Sequence, residues 1–199
     1  MTDPLRAARR RLEPHLAPGE ELLWAGQPDP RARFRKVDAV FVPFCQTIAA
    51  GVGLLWFGAV VLVFLTQGRF LFLPLLWLPF VVIAAYMVWG RFTVKRIAAE
   101  NTAYGITDRG VLSVTLSPRR RVRRVEAASL RNVHRIVEPE RRETLRFGDV
   151  KPYQALLDHS GVDALLPEGL AGPVAFHDLK DAEEPLRVVR ELITATQDL

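Results

Sequence analysis

The stretch from Ala39 to Gly90 contains a single charged side chain, Arg69. Arg69 separates thirty uncharged residues (39–68) from twenty-one more (70–90). A helix that crosses the hydrocarbon core of a bilayer needs about 20 apolar residues, so each part is long enough for one crossing. The stretch therefore predicts a transmembrane helical hairpin with its turn at Thr66–Arg69.

Two other kinds of apolar segment, the core helix of a soluble protein and the cleaved signal peptide, fit this stretch poorly. A helix in the core of a soluble protein usually keeps a polar face, whereas apolar side chains occupy every helical phase here. A cleaved signal peptide has a short apolar core of about 7–15 residues near the N-terminus. This stretch is longer and begins near residue 39, so we expect an integral membrane protein.

Basic residues flank the hairpin on one side only, which predicts its orientation. The first span is preceded by Arg31, Arg33, Arg35 and Lys36, and the second is followed by Arg91, Lys95 and Arg96. The turn between the spans carries only Arg69. Loops rich in Lys and Arg stay on the cytoplasmic side during insertion. We therefore expect a multi-pass protein of the cell (inner) membrane with both termini in the cytoplasm.

The apolar stretch divides the chain into three regions. Residues 1–38 form a cytoplasmic arm, residues 39–90 form the hairpin, and residues 91–199 are long enough for one small domain. In the arm, Leu5–Leu12 is basic and amphipathic, which is typical of a short helix on an anionic membrane surface, and a simply solvated segment fits equally well. Glu20–Gly26 is a predicted strand, which we expect to join the C-terminal sheet.

The C-terminal region predicts an antiparallel sheet closed by a helix. Arg91–Glu100 should extend the second membrane helix, and Asn101–Val114 should form a β-hairpin with its turn at 107–110, where Gly110 allows a tight turn. Further short strands are expected in Arg119–Val125, where the edge of the strand is uncertain, in Arg131–Val137 and in Thr144–Phe147. The segment Ala175–Leu179 could either close the sheet or enter a turn. The segment Lys151–Pro173 predicts a long loop with a helical turn at Tyr153–Leu157. The apolar spacing of Glu183–Thr196 predicts a C-terminal amphipathic helix.

The order of these segments resembles that of the bacterial PH-like domain membrane proteins. The matching segments are PGEELLWAGQPDP (18–30), the two spans, NTAYGITDRGVLSV (101–114), TLRFGD (144–149) and AFHDLKDAEEPLRVVREL (175–192). The resemblance implies an α+β membrane protein in which a two-helix transmembrane hairpin carries a cytoplasmic PH-like antiparallel barrel or bent sheet capped by a C-terminal helix. It implies no reaction, and residues 150–174 carry no family signal.

The sequence gives no indication of catalysis. It contains no nucleophile elbow, P-loop, dinucleotide-binding glycine motif or zinc-protease motif, and the four histidines have no spacing typical of metal ligands. We interpret His177, Asp178 and Asp181 as a solvated cluster at a helix start. We therefore expect neither an enzyme nor a bound cofactor or metal.

One basic segment is the candidate binding site. It comprises Arg119, Arg120, Arg121, Arg123 and Arg124, which lie within RRRVRRV. Several guanidinium groups on one short segment suit phosphate binding, and PH-like domains often bind phosphates on basic loops. Residues 91–146 carry 14 Lys and Arg against 6 Asp and Glu, so the segment could grip anionic lipid headgroups, or it could serve only the orientation of the hairpin.

The sequence is compatible with two functions. The first is a membrane-anchored interaction or scaffolding module that binds a protein partner or self-associates, helped by an open sheet edge and by the small residues Gly51, Gly53 and Gly58. The alternative is a sensor of anionic phospholipid headgroups. Nucleic acid is not an expected partner, because the basic segment lacks interleaved aromatic residues on which bases could stack.

Overall fold

The computed structural model describes residues 4–31, 38–69, 72–130, 132–137, 142–148, 151, 154 and 174–197. The chain divides into two compact units, one formed by Met1–Arg35 with Val94–Leu199 and the other by Lys36–Thr93. Most of the loop expected at Lys151–Pro173, including most of the helical turn expected at Tyr153–Leu157, lies outside the described residues. The protein combines long apolar helices with antiparallel sheets, so the α+β class is confirmed.

The unit at Lys36–Thr93 is a helical hairpin. Helix α2 spans Asp38–Leu65 and α3 spans Phe72–Ala85. A π-helical turn at Tyr86–Gly90 leads into α4, Arg91–Glu100. Two segments, Val42–Leu65 and Phe72–Glu100, are helices long and apolar enough to cross a membrane.

The turn between α2 and α3 lies where the sequence predicts it. Residues 66–69 form the turn, and the backbone of Gln67 and Gly68 takes positive φ values of 51° and 88°. The side chain of Trp56 then joins the two helices, because its Nε1 donates a hydrogen bond to the carbonyl oxygen of Pro74 at 3.2 Å.

The second unit is built from seven strands in two antiparallel sheets. The first sheet has the order β1 (Leu22–Gly26), β2 (Thr102–Thr107), β3 (Gly110–Thr115) and β4 (Arg121–Glu126). The second has the order β5 (Val133–Val137), β6 (Glu143–Phe147) and β7 (Ala175–Leu179). The expected arm strand is confirmed, since β1 pairs with β2, and Trp24 lies opposite Ile106. The hairpin expected at Asn101–Val114 is confirmed as β2 and β3.

The strands do not close into a barrel, which corrects the barrel form of the expected fold. Among the described residues, β4 pairs with β3 and β5 pairs with β6, but no ladder joins β4 to β5. The reason is a 3-10 turn at Ala127–Ser129 between these strands. The amide of Ala127 donates to the carbonyl oxygen of Arg109 at 2.8 Å, and the chain then turns back as Leu130 N donates to Ala127 O.

One hydrophobic core joins the two sheets to the C-terminal helix α5, Glu183–Gln197. Tyr104 and Ile106 from β2 meet Leu145 from β6 and Phe176 from β7. Phe176 is the centre of this core, since its ring stacks on Tyr104 with centroids 4.7 Å apart and packs edge-on against Phe147 at 4.8 Å. The predicted helix covers the core with three buried residues: Leu186, Val189 and Leu192.

The opposite face of the first sheet is covered by helix α1, Pro4–Leu12. Ala8 and Leu12 are completely buried and pack among Ala25, Ala103 and Leu112. A methyl group on Gly105 would come within 3.0 Å of the Leu12 side chain, so the sheet and the helix approach closely there. The sequence left open whether this segment is solvated or rests on a membrane, and its buried face in fact belongs to the sheet.

Candidate functional site

The five arginines of the candidate site do not share one surface. Because side chains alternate along a strand, β4 directs Arg121 and Arg123 to the face that also carries the core residue Val125. Arg121 is buried and Arg123 is half-buried. Arg124 belongs to the opposite face of β4. Arg119 and Arg120 precede the strand and are exposed.

Arg124 is engaged by a carboxylate of the N-terminal arm. Its NH2 donates to Glu20 Oε2 at 2.9 Å and to the carbonyl oxygen of His15 at 3.0 Å. Glu20 Oε2 also accepts from the amide of Ala17 at 2.7 Å, and Thr107 Oγ1 donates to Glu20 Oε1 at 2.6 Å. The side chain of Glu20 is only 1% exposed, so Arg124 neutralises a buried charge.

Opposing effects set the pKa of Glu20. Burial alone would raise the pKa, because it removes the carboxylate from water. The hydrogen bonds from Thr107, Ala17 and Arg124, together with the charge of Arg124, outweigh burial and leave the pKa below its ordinary value. Glu20 is therefore ionised in the folded protein and acts as the anchor of the arm.

The β2–β3 turn binds the arm with consecutive residues. Asp108 Oδ1 accepts from the amide of Glu21 at 3.0 Å, and the amide of Asp108 donates to Glu21 O at 3.1 Å. Arg109 NH2 donates to the carbonyl oxygen of Pro18 at 3.4 Å. Two of the segments that carry the family resemblance, 18–30 and 101–114, thus bind each other through these polar groups.

His177 and Asp178 are buried, which corrects their interpretation as a solvated cluster. They are 5% and 1% exposed, and the amide of His177 donates to the Tyr104 hydroxyl at 3.1 Å. Asp178 takes a positive φ of 54°, and its carbonyl oxygen accepts from the amide of Asp29 at 2.9 Å. Only Asp181 fits the interpretation, since it is exposed and its Oδ1 accepts from Glu183 N at the start of α5.

The described part of the chain contains no group of three or more His, Cys, Asp or Glu placed to hold a metal ion. The polar groups near β7 form ion pairs instead. Arg142 Nε lies 3.6 Å from Asp29 Oδ2, and Arg135 forms an ion pair with Glu143. These pairs tie β6 to the arm and to β5, which is a structural role.

A second group of exposed arginines lies on α1, and sequence reasoning did not include it in the site. Arg6, Arg9 and Arg10 are exposed, while the neighbouring Arg11 donates to the carbonyl oxygen of Glu100, at the end of α4, at 2.8 Å. The amphipathic spacing of Leu5–Leu12 was the signal that could have found them. Arg119 and Arg120, which precede β4, are exposed as well.

A buried ion pair joins the two ends of the helical hairpin. Arg91 NH1 lies 3.1 Å from Asp38 Oδ1, and the two side chains are 1% and 6% exposed. These residues immediately flank the apolar stretch of 39–90 at either end. The pair therefore fixes the start of α2 beside the start of α4.

Comparison with protein-family models, with curated proteins and with solved structures finds no match. The resemblance to bacterial PH-like domain membrane proteins therefore remains a prediction.

Proposed function

We propose that the protein is a membrane-anchored interaction module, in which the hairpin spans the cell (inner) membrane and the α+β unit acts as a PH-like scaffolding domain in the cytoplasm. One observation carries the anchoring. Many large apolar side chains of α2 and α3 are exposed, among them Phe64 at 84%, Leu54 at 72% and Leu75 at 69%. An exposed apolar surface of this extent is typical of a protein in contact with lipid or with another protein.

The topology is tested with single cysteines in a Cys45→Ala background. Gln67→Cys places a thiol in the turn between the spans, and Thr194→Cys places one on the exposed side of α5. In intact cells, a membrane-impermeant maleimide is expected to label position 67 but to label position 194 only after permeabilisation. Extraction of the protein from membranes by alkaline carbonate, or equal labelling at both positions, would contradict the proposal.

The open edge of the second sheet supports the interaction role. Among the described strands, β5 pairs only with β6, and His134, Arg135 and Val137 on it are exposed. An open edge offers backbone hydrogen bonds to a strand of a partner or of a second copy.

A photo-crosslinking residue at His134 is expected to give a discrete adduct, and the same residue at Thr194 is the control. Equal adducts at both positions would argue against β5 as the interface.

The alternative function is a sensor of anionic phospholipid headgroups. The observation in its favour is the exposure of Arg119 and Arg120, which precede β4 and lie outside its paired residues. Arg121 and Arg123 are less exposed and Arg124 binds Glu20, so the sensor would use the two leading arginines of the segment rather than all five.

A further inference from the structure

We propose that α1 and the turn between β3 and β4 form one surface that contacts anionic phospholipid headgroups; this inference rests on the proposed membrane anchoring. The surface, here called the junction surface, comprises Arg6, Arg9 and Arg10 of α1 and Arg119 and Arg120 of the turn, with the exposed leucines Leu5 and Leu116. The junction surface therefore combines helix α1 of the N-terminal arm with two of the five arginines of the candidate site.

Hydrogen bonds bring the two elements to the same place. Arg11 of α1 donates to the carbonyl oxygen of Glu100, the last residue of α4. The residue that follows Glu100 is Asn101, and its carbonyl oxygen accepts a hydrogen bond at 3.0 Å from the amide of Leu116 in the β3–β4 turn. Both elements are therefore attached to consecutive residues, where α4 ends and the sheet begins.

The leucines extend apolar surfaces beyond the sheet. On α1, Leu5, Ala8 and Leu12 follow one another at spacings of three and four, so they share one side of the helix. Ala8 and Leu12 are fully buried against the sheet, but Leu5 is 56% exposed, and Leu116 on the turn is 41% exposed. Exposed leucines beside arginines are typical of a segment that lies in a membrane interface.

The charge of the junction surface selects an anionic occupant. Its five arginines are exposed, and the nearby Glu100 is already paired with Arg96, whose Nε lies 2.8 Å from Glu100 Oε1. A free phosphate or a nucleic acid would also attract arginines, but neither would need the two leucines. In the sequence, only the ten residues of α4 separate the apolar stretch from the junction.

The test uses the full chain reconstituted into vesicles of phosphatidylcholine alone or with phosphatidylglycerol. Single cysteines at Leu5 or Leu116, in the Cys45→Ala background, carry an environment-sensitive fluorophore, and brominated lipid is the quencher. A label at Thr194 is the reference position. We expect quenching at Leu5 and Leu116 in the anionic vesicles and much less in the neutral vesicles or at high salt.

Three double variants with matched charge changes complete the test. Arg9→Glu with Arg10→Glu, and Arg119→Glu with Arg120→Glu, should each lower the quenching at both labels toward the level in neutral vesicles. Arg187→Glu with Arg190→Glu, at exposed positions of α5, should leave it unchanged. Thermal unfolding of each variant checks that the fold is intact.

Three results would overturn the junction surface. They are equal quenching in neutral and anionic vesicles, no quenching at either label, and an equal loss in the α5 variant. Failure of the anchoring proposal gives a different result, because the protein would then be released from both kinds of vesicle by alkaline carbonate.

Discussion

Glu20 and Arg124 form an ion pair at 2.9 Å although they are 104 positions apart in the chain. The pair joins the N-terminal arm to the edge strand β4, and the hairpin of apolar helices lies between them in the sequence. In the sequence, Arg124 is one of several arginines in a short basic segment. Its role as the partner of Glu20 was not evident there, because Glu20 is so distant in the chain.

Replacing Glu20 by Gln should lower the free energy of unfolding by about 1–3 kcal/mol, because Arg124 would lose a charged, buried partner. The matched control is Glu21→Gln, which makes the same chemical change at an exposed side chain one residue away and should have little effect. The measurement is the thermal unfolding midpoint of the full chain in detergent at neutral pH.

The contribution of Glu20 should also depend on pH. Its pKa in the folded protein lies below the ordinary value of 4.5, so its stabilisation is complete above about pH 4.5 and is lost as the pH falls toward the lowered pKa. The difference in midpoint between the native chain and Glu20→Gln should therefore shrink below pH 4.5. A difference that is constant from neutral pH to the acid range would contradict this assignment.

Substituting Gly110 by Ala should destabilise the first sheet. Gly110 has a φ of 152°, and a methyl group on it would lie 2.1 Å from the carbonyl oxygen of Val125. Because that atom belongs to the backbone of β4, the strands must separate, and we expect a loss of about 1–3 kcal/mol or more. Gly53→Ala is the control, since a methyl group there meets nothing within 4 Å; equal effects of the two variants on the unfolding midpoint would refute the explanation.

Replacing Tyr104 by Phe should separate its two roles. The Phe ring keeps the stacking on Phe176, but the amide of His177 loses the acceptor that it has at 3.1 Å. A buried donor without a partner costs about 1–3 kcal/mol. Tyr104→Leu should cost more, because the aromatic contact is lost as well. Chemical unfolding of both variants would show the order, and a Phe variant as stable as the native chain would argue against the hydrogen bond.

Replacing Asp38 by Asn should loosen the hairpin, since Arg91 would remain buried without its counter-charge. Removal of one partner of a buried pair costs about 3–5 kcal/mol. Glu100→Gln breaks the exposed pair with Arg96, whose side chain is 67% exposed, and should cost less than about 1 kcal/mol. The measurement is the unfolding midpoint in detergent. A comparable loss in both variants would show that burial of the Asp38–Arg91 pair is not what matters.

Local patterns were sufficient to predict several elements. The β2–β3 hairpin follows from alternating apolar residues around Thr107–Gly110, and α5 follows from the helical spacing of Leu186, Val189 and Leu192. The pairing of β1 with the C-terminal sheet was also predicted. The residues that determine the hairpin and α5 lie within one short segment each, and β1 has few other strands with which it could pair.

Features that depend on distant contacts were not predicted. The division of the arginine-rich segment follows from the alternation of β4 and from Glu20 in the arm. The burial of His177 and Asp178 follows from the hydrogen bonds that their backbone makes with Tyr104 and with Asp29 of the arm, and no local pattern indicates these contacts. Among the described strands, the break between the two sheets falls at the turn Ala127–Ser129, which has no distinctive local pattern.

The pairing of β1 with β2 also sets an order for folding during synthesis. Strand β1 is made first, but its partner β2 is made only after the whole apolar hairpin, so the first sheet cannot be completed until both helices have left the ribosome. A fragment that begins at Arg91 would lack β1 and Trp24, whose ring stacks on Phe176 with centroids 5.8 Å apart. The C-terminal region alone therefore cannot form the complete first sheet, because one of the four strands of that sheet comes from the arm.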